Sequence, residues 1–135
     1  MAIGRRRSRP LLVALIGAQA ANAAFDAVAL YPIARSTKWG AWAKQWAKED
    51  LDRLGFPARL RFVFPILKAS SVAGLGVGLR WRPLGRFTAA GIVAYFVAAL
   101  GFHLRAKDPA RNYLPALGML AWSYWALRTL RSAPT

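Results

Sequence analysis

The chain has no cysteine, one histidine and only five acidic residues among its 135. The first absence excludes thiol–disulfide relays, cysteine-ligated zinc and cysteine-bound iron–sulfur clusters. The shortage of His, Asp and Glu argues against a preformed metal site. A lone histidine also cannot supply both axial ligands of a six-coordinate haem. Length allows one domain, residues 1–135, with no separate catalytic module. No internal repeat or low-complexity linker interrupts it. This inventory leans away from an enzyme and names no cofactor.

What the chain does have is apolar surface and positive charge. Hydrophobic residues make up 56% of it and mean hydropathy is +0.26, yet the formal net charge is +15. Those figures conflict for a soluble globule and agree for a membrane protein, whose charges collect at the ends of its spans. The twenty Lys and Arg border apolar runs instead of covering one soluble face. Attraction to anionic lipid explains them better than nucleic acid does, so no nucleic-acid partner is expected. Membrane lipids, other membrane subunits or further copies of the chain are the expected partners.

Four apolar runs are long enough to span a bilayer core about 30 Å thick. They lie near residues 11–34, 60–79, 87–105 and 113–131, with a more polar stretch at 37–54. In that stretch Trp39, Trp42 and Trp46 recur at i, i+3 and i+7, the pattern of an amphipathic helix lying in the membrane interface. A helix capping the bundle, its indoles packed on protein, is the alternative. Gly55 and Pro57 then stop the helix. The expected fold is all-α: an integral membrane four-helix bundle with an interfacial amphipathic helix between spans one and two.

Arg5, Arg6, Arg7 and Arg9 form a dense basic flank, which predicts cytoplasmic N- and C-termini in a bacterial inner membrane. The same basic start, with the apolar run from Leu11 and small residues at Ala21–Ala24, also fits a cleaved signal peptide. The apolar continuation to Ile33 exceeds what a signal peptide needs. In the second span Ser70, Gly74 and Gly78 recur every fourth residue, a small-residue ridge suited to close helix packing. Pro65 is expected to kink that span one turn before Lys68. The glycine-rich Gly74–Gly78 is no phosphate loop, since it lacks the Gly-Lys-Ser/Thr ending and follows no strand. Arg80, Trp81, Arg82, Pro83 and Arg86 read as a tight basic turn.

Three spans each carry one ionisable side chain: Asp26, Lys68 and His103. Asp or Lys at mid-span costs about 2.5–3.5 kcal/mol, so each should face the bundle interior and find a partner. Gln19, Asn22 and Asp26 share one stripe of the first span. A rise of 1.5 Å per residue places Asp26, Lys68 and His103 at depths of about 22, 18 and 24 Å, in one layer. Tyr95 adds a hydroxyl in the third span. Two readings stay open. One is a buried Asp26–Lys68 pair that fixes helix register, with His103 hydrogen-bonded near the outer surface. The other is a relay or a polar pocket for a quinone-like or other small head group.

The chain resembles the DoxX-like family of small four-helix membrane proteins over about residues 11–131. The matching parts are the Gly55-Phe56-Pro57 turn, Pro65-Ile66-Leu67-Lys68 entering a glycine-rich span, and Gly101-Phe102-His103-Leu104 followed by Asp108. A closing span ending in aromatic and basic residues (Trp122, Tyr124, Trp125, Arg128, Arg131) also fits. Related members commonly carry an acid where this chain has Lys68, so an acid's role does not carry over. The resemblance implies association with quinone-coupled redox complexes and supplies no catalytic residues. The expected function is a non-catalytic subunit or scaffold of a larger membrane complex. A quinone-interacting oxidoreductase component and a small-solute or proton transporter are the alternatives. Neither metal nor cofactor is expected, apart from a quinone or lipid.

Overall fold

Long Ala-, Leu- and Val-rich runs without turn signals fold as helices, and the computed structural model describes residues 3–30 and 37–132. Among these residues there are five α-helices and no strand. They are α1 (Ile3–Leu30), α2 (Lys38–Arg53), α3 (Val63–Gly78), α4 (Arg82–Arg105) and α5 (Ala110–Ser132), with one 3-10 turn at Ala58–Leu60. Three segments of the described residues are long and apolar enough to cross a membrane: Leu12–Ala29, Ala58–Gly78 and Arg82–Arg105. α5 is as long as α4 to within one residue, but its aromatic and basic side chains dilute its apolar run.

The boundaries correct the sequence reading in three places. α1 begins at Ile3, ahead of the expected start, and the expected end of that span at 31–34 lies outside the described residues. α4 begins at Arg82, so the basic turn shrinks to residues 79–81. Pro83 fits because the first turn of a helix needs no N–H donor. The same reasoning removes the expected kink at Pro65. That residue is the third of α3, where its missing N–H breaks no intrahelical bond.

α2 starts where Thr37 Oγ1 accepts a hydrogen bond from the Gly40 amide at 3.0 Å. It ends at Gly55, whose φ of +70° lets Phe56 N–H reach Leu51 O and Gly55 N–H reach Asp52 O. Gly40, Ala43 and Ala47 form its buried face, with Ala43 and Ala47 packed on Ala29 and Phe25 of α1. Trp39, Trp42 and Trp46 flank that face and surround Phe25, their ring centroids 6.1, 6.3 and 5.6 Å from it. Each indole remains about half exposed.

α1 packs on α3, α3 on α4, α4 on α5, and α5 back on α1. Their shared core lies at one end. It joins Leu12 and Leu15 of α1, Leu75 of α3, Ala89, Ile92 and Phe96 of α4, and Ala126, Leu127 and Leu130 of α5. Glycine brings α3 and α4 together there. Gly78 lies against the backbone of Gly85, and Gly74 lies against Thr88. Ser70, the third member of the expected ridge, is exposed. Arg86 Nε donates to the Leu130 carbonyl at 2.9 Å, tying α4 to the end of α5. Large apolar side chains point outward on every long helix, including Val13, Ile66, Val77, Phe87, Val97 and Leu114. A surface so apolar suits lipid, not water.

Candidate functional site

At the opposite end the helices frame a partly open cavity of about 370 Å³. Its walls come from the end of α1, the second half of α2, the start of α3 and the end of α4. Aromatic rings line much of it: Phe25, Trp46, Phe56, Phe64, Tyr95 and Phe102. Phe56 touches both Phe64 and Phe102, with centroids 4.8 and 5.6 Å apart, and Phe64 meets Tyr95 edge-on at 6.2 Å. Where the core end has glycine between helices, this end has phenyl rings. The space they frame is apolar with a few convergent polar groups, as small-molecule sites usually are.

Those polar groups include most of the expected cluster. Asn22, Asp26, Lys68, Tyr95 and His103 all line the cavity, together with Asp50 of α2. Lys68 Nζ lies 2.6 Å from Asp26 Oδ2 and 3.4 Å from Asn22 Oδ1. Asn22 and Asp26 are one helical turn apart, so a single ammonium bridges both. Gln19 is the exception. It is buried, its Oε1 has no partner among the described residues, and it does not line the cavity. Seven residues before Asp26, it sits about 10 Å back along α1 towards the packed core.

His103 belongs to the cavity wall but not to the Asp26–Lys68 pair. Its Nδ1 lies 2.6 Å from Asp108 Oδ2. The backbone explains this. α4 closes with Lys107 N–H on Leu104 O and Asp108 N–H on His103 O, and Lys107 takes the left-handed φ of 54°. Glycine usually holds that position, and a Cβ there costs about 1–2 kcal/mol. The turn sets Asp108 directly beside His103. Arg53 at the end of α2 reaches Asp108 Oδ1 through Nε at 2.7 Å, and Asn112 of α5 donates to it at 3.4 Å. Arg53 also pairs with Asp50. One buried carboxylate thus joins α2, α4 and α5.

The hydrogen bond from His103, then Arg53 and Asn112, holds the Asp108 carboxyl below the usual carboxylate range. Because the folded value is depressed, this contribution to stability is complete above the unfolded value, about 4. It is lost only as pH falls through the lower folded value. The sequence names Asp108 only as following the Gly101–Leu104 motif and gives Arg53 and Asp50 no role. The available signal was a histidine three residues before the helix stop with an acid five residues on, the two positions such a stop brings together. Among the described residues no three His, Asp or Glu side chains gather to hold a metal.

No curated protein and no solved structure matches the chain. The family model that does match is described as the DoxX-like family and covers residues 14–125, from the first turns of α1's apolar run into the aromatic end of α5. The chain belongs to the DoxX-like family of membrane proteins.

Proposed function

We propose that this protein binds a small amphiphile with a flat hydrogen-bonding head group, of the quinone class, in the cavity between α1, α2, α3 and α4. The observation that carries the reading is the cavity itself, apolar and aromatic, with Lys68, Tyr95 and His103 in its wall. A carbonyl-bearing ring needs an apolar slot and one or two donors, and Lys68 retains donor capacity beyond Asp26 and Asn22. The chain acts as a binding component and performs no redox chemistry alone.

The test uses decylubiquinone and the fluorescence of purified protein, because Trp46 stands in the cavity wall. Saturable quenching is expected, and Ala99→Phe, which fills the cavity from α4, should abolish it. Quenching that is non-saturable, or that survives Ala99→Phe, would remove the reading. The second reading is a non-catalytic subunit or scaffold of a larger membrane complex. The closed Asp26–Lys68–Asn22 contact supports it, since a satisfied polar group can serve helix register alone. Stoichiometric partner subunits copurifying with an empty cavity would favour that alternative.

The same proposal places four spans, α1, α3, α4 and α5, in a bacterial inner membrane, with α2 lying in the outer interface. Both termini are then cytoplasmic, as the Arg5–Arg9 cluster favours. The chain has no cysteine, so Gln45→Cys gives a single label site on α2. A membrane-impermeant maleimide should label it from outside intact spheroplasts. Labelling only after the membrane is opened would invert the topology.

A further inference from the structure

Among the polar groups of the cavity wall, His103 is held in a distinct way. His103 lines the cavity, whereas Asp108, which takes its Nδ1 edge, does not. The Asp108 side chain is only 1% exposed and is fixed from the far side by Arg53 and Asn112. A carboxylate accepts and cannot donate, so the proton between the two sits on Nδ1. In the neutral ring that tautomer leaves Nε2 as the nitrogen without a proton. Nε2 has no protein partner among the described residues.

Among the described residues, the other charged groups that line this space are already paired. On α1, Asp26 binds Lys68 of α3, and on α2, Asp50 binds Arg53. Tyr95 on α4 offers a hydroxyl, and Lys68 offers only donors. His103 is therefore the lining residue with a ring nitrogen left without a partner among the described residues, in the same cavity as the Lys68 ammonium.

We infer that the cavity accepts a hydroxylated aromatic ligand, of the phenol class, with His103 Nε2 as its proton acceptor and Asp108 as the positioning residue. This rests on the cavity being a ligand site. The ligand O–H bond breaks as the Nε2–H bond forms, and a neutral pair becomes phenolate and imidazolium with no change in total charge. Asp108 stabilises the imidazolium through Nδ1–H, and Lys68 faces the phenolate.

The test uses a 4-nitrophenol carrying a short alkyl chain, whose phenolate absorbs visibly while Trp46 quenching reports binding. Below the free probe's own pKa, the ratio of ionised to neutral probe bound to the unaltered protein should exceed that in empty micelles about tenfold, one pKa unit. In His103→Gln that gain should vanish. In Asp108→Asn, which keeps the side chain's size, most of it should vanish while quenching persists. A purely structural role would change binding or stability without changing the ionised fraction. Equal ionisation in the unaltered protein and His103→Gln overturns the inference and leaves the cavity reading standing. If His103→Gln does not fold, unchanged ionisation in Asp108→Asn overturns it instead. No saturable quenching in the unaltered protein overturns both.

Discussion

Lys68→Met is expected to lower stability by about 3–5 kcal/mol, because it leaves Asp26 as an unpaired charge beside an apolar cavity. Asp26→Ala should lose a comparable amount, stranding the ammonium. The double variant Asp26→Ala with Lys68→Met removes both charges and should recover at least half of the summed loss. Thermal or denaturant unfolding of the four proteins in one detergent gives the coupling energy directly. Ordinary interhelical hydrogen bonds in membranes reach only about 1.7 kcal/mol. A coupling above that marks a desolvated ion pair, as the 2.6 Å contact and its low exposure suggest. Strictly additive losses would mean the two side chains do not depend on each other.

That pair was legible because cost forces it. A charge inside an apolar run must find a partner, and spacing plus helix rise places Asp26 and Lys68 at similar depth. α2 was legible for a similar reason: three tryptophans at helical spacing and the Gly55 stop bound it to within a residue. What the sequence hid was set by partners distant in the chain. Nothing local to Asp108 announces Arg53, fifty-five residues away. Pro65 looks like a mid-helix proline until the 3-10 turn at Ala58–Leu60 shows that α3 starts only at Val63. Gln19 shares a stripe with Asp26, yet a stripe two turns long runs out of one layer and into the next. The cavity is a packing result: rings on four helices and the α2–α3 connection hold helices apart that glycine draws together at the other end.

Gly78→Ala tests that glycine contact and should be among the most damaging single-methyl changes in the protein. A Cβ at this position would overlap the Cα of Gly85. Backbone cannot rotate aside as a side chain can, so α3 and α4 must separate. Separation also loosens Leu75 from Ala89 and Ile92 in the core they share. Overpacking of this kind costs about 1–3 kcal/mol and sometimes more. Two neighbours provide the scale. Gly74→Ala meets Thr88, whose side chain has other rotamers, so its cost should be smaller. Gly76→Ala meets nothing within 4 Å and should be neutral, or stabilising by up to about 1 kcal/mol, since alanine is the better helix former. Unfolding midpoints in detergent should therefore fall in the order Gly76→Ala, Gly74→Ala, Gly78→Ala. Equal midpoints for Gly76→Ala and Gly78→Ala would mean that α3 and α4 do not meet at these glycines.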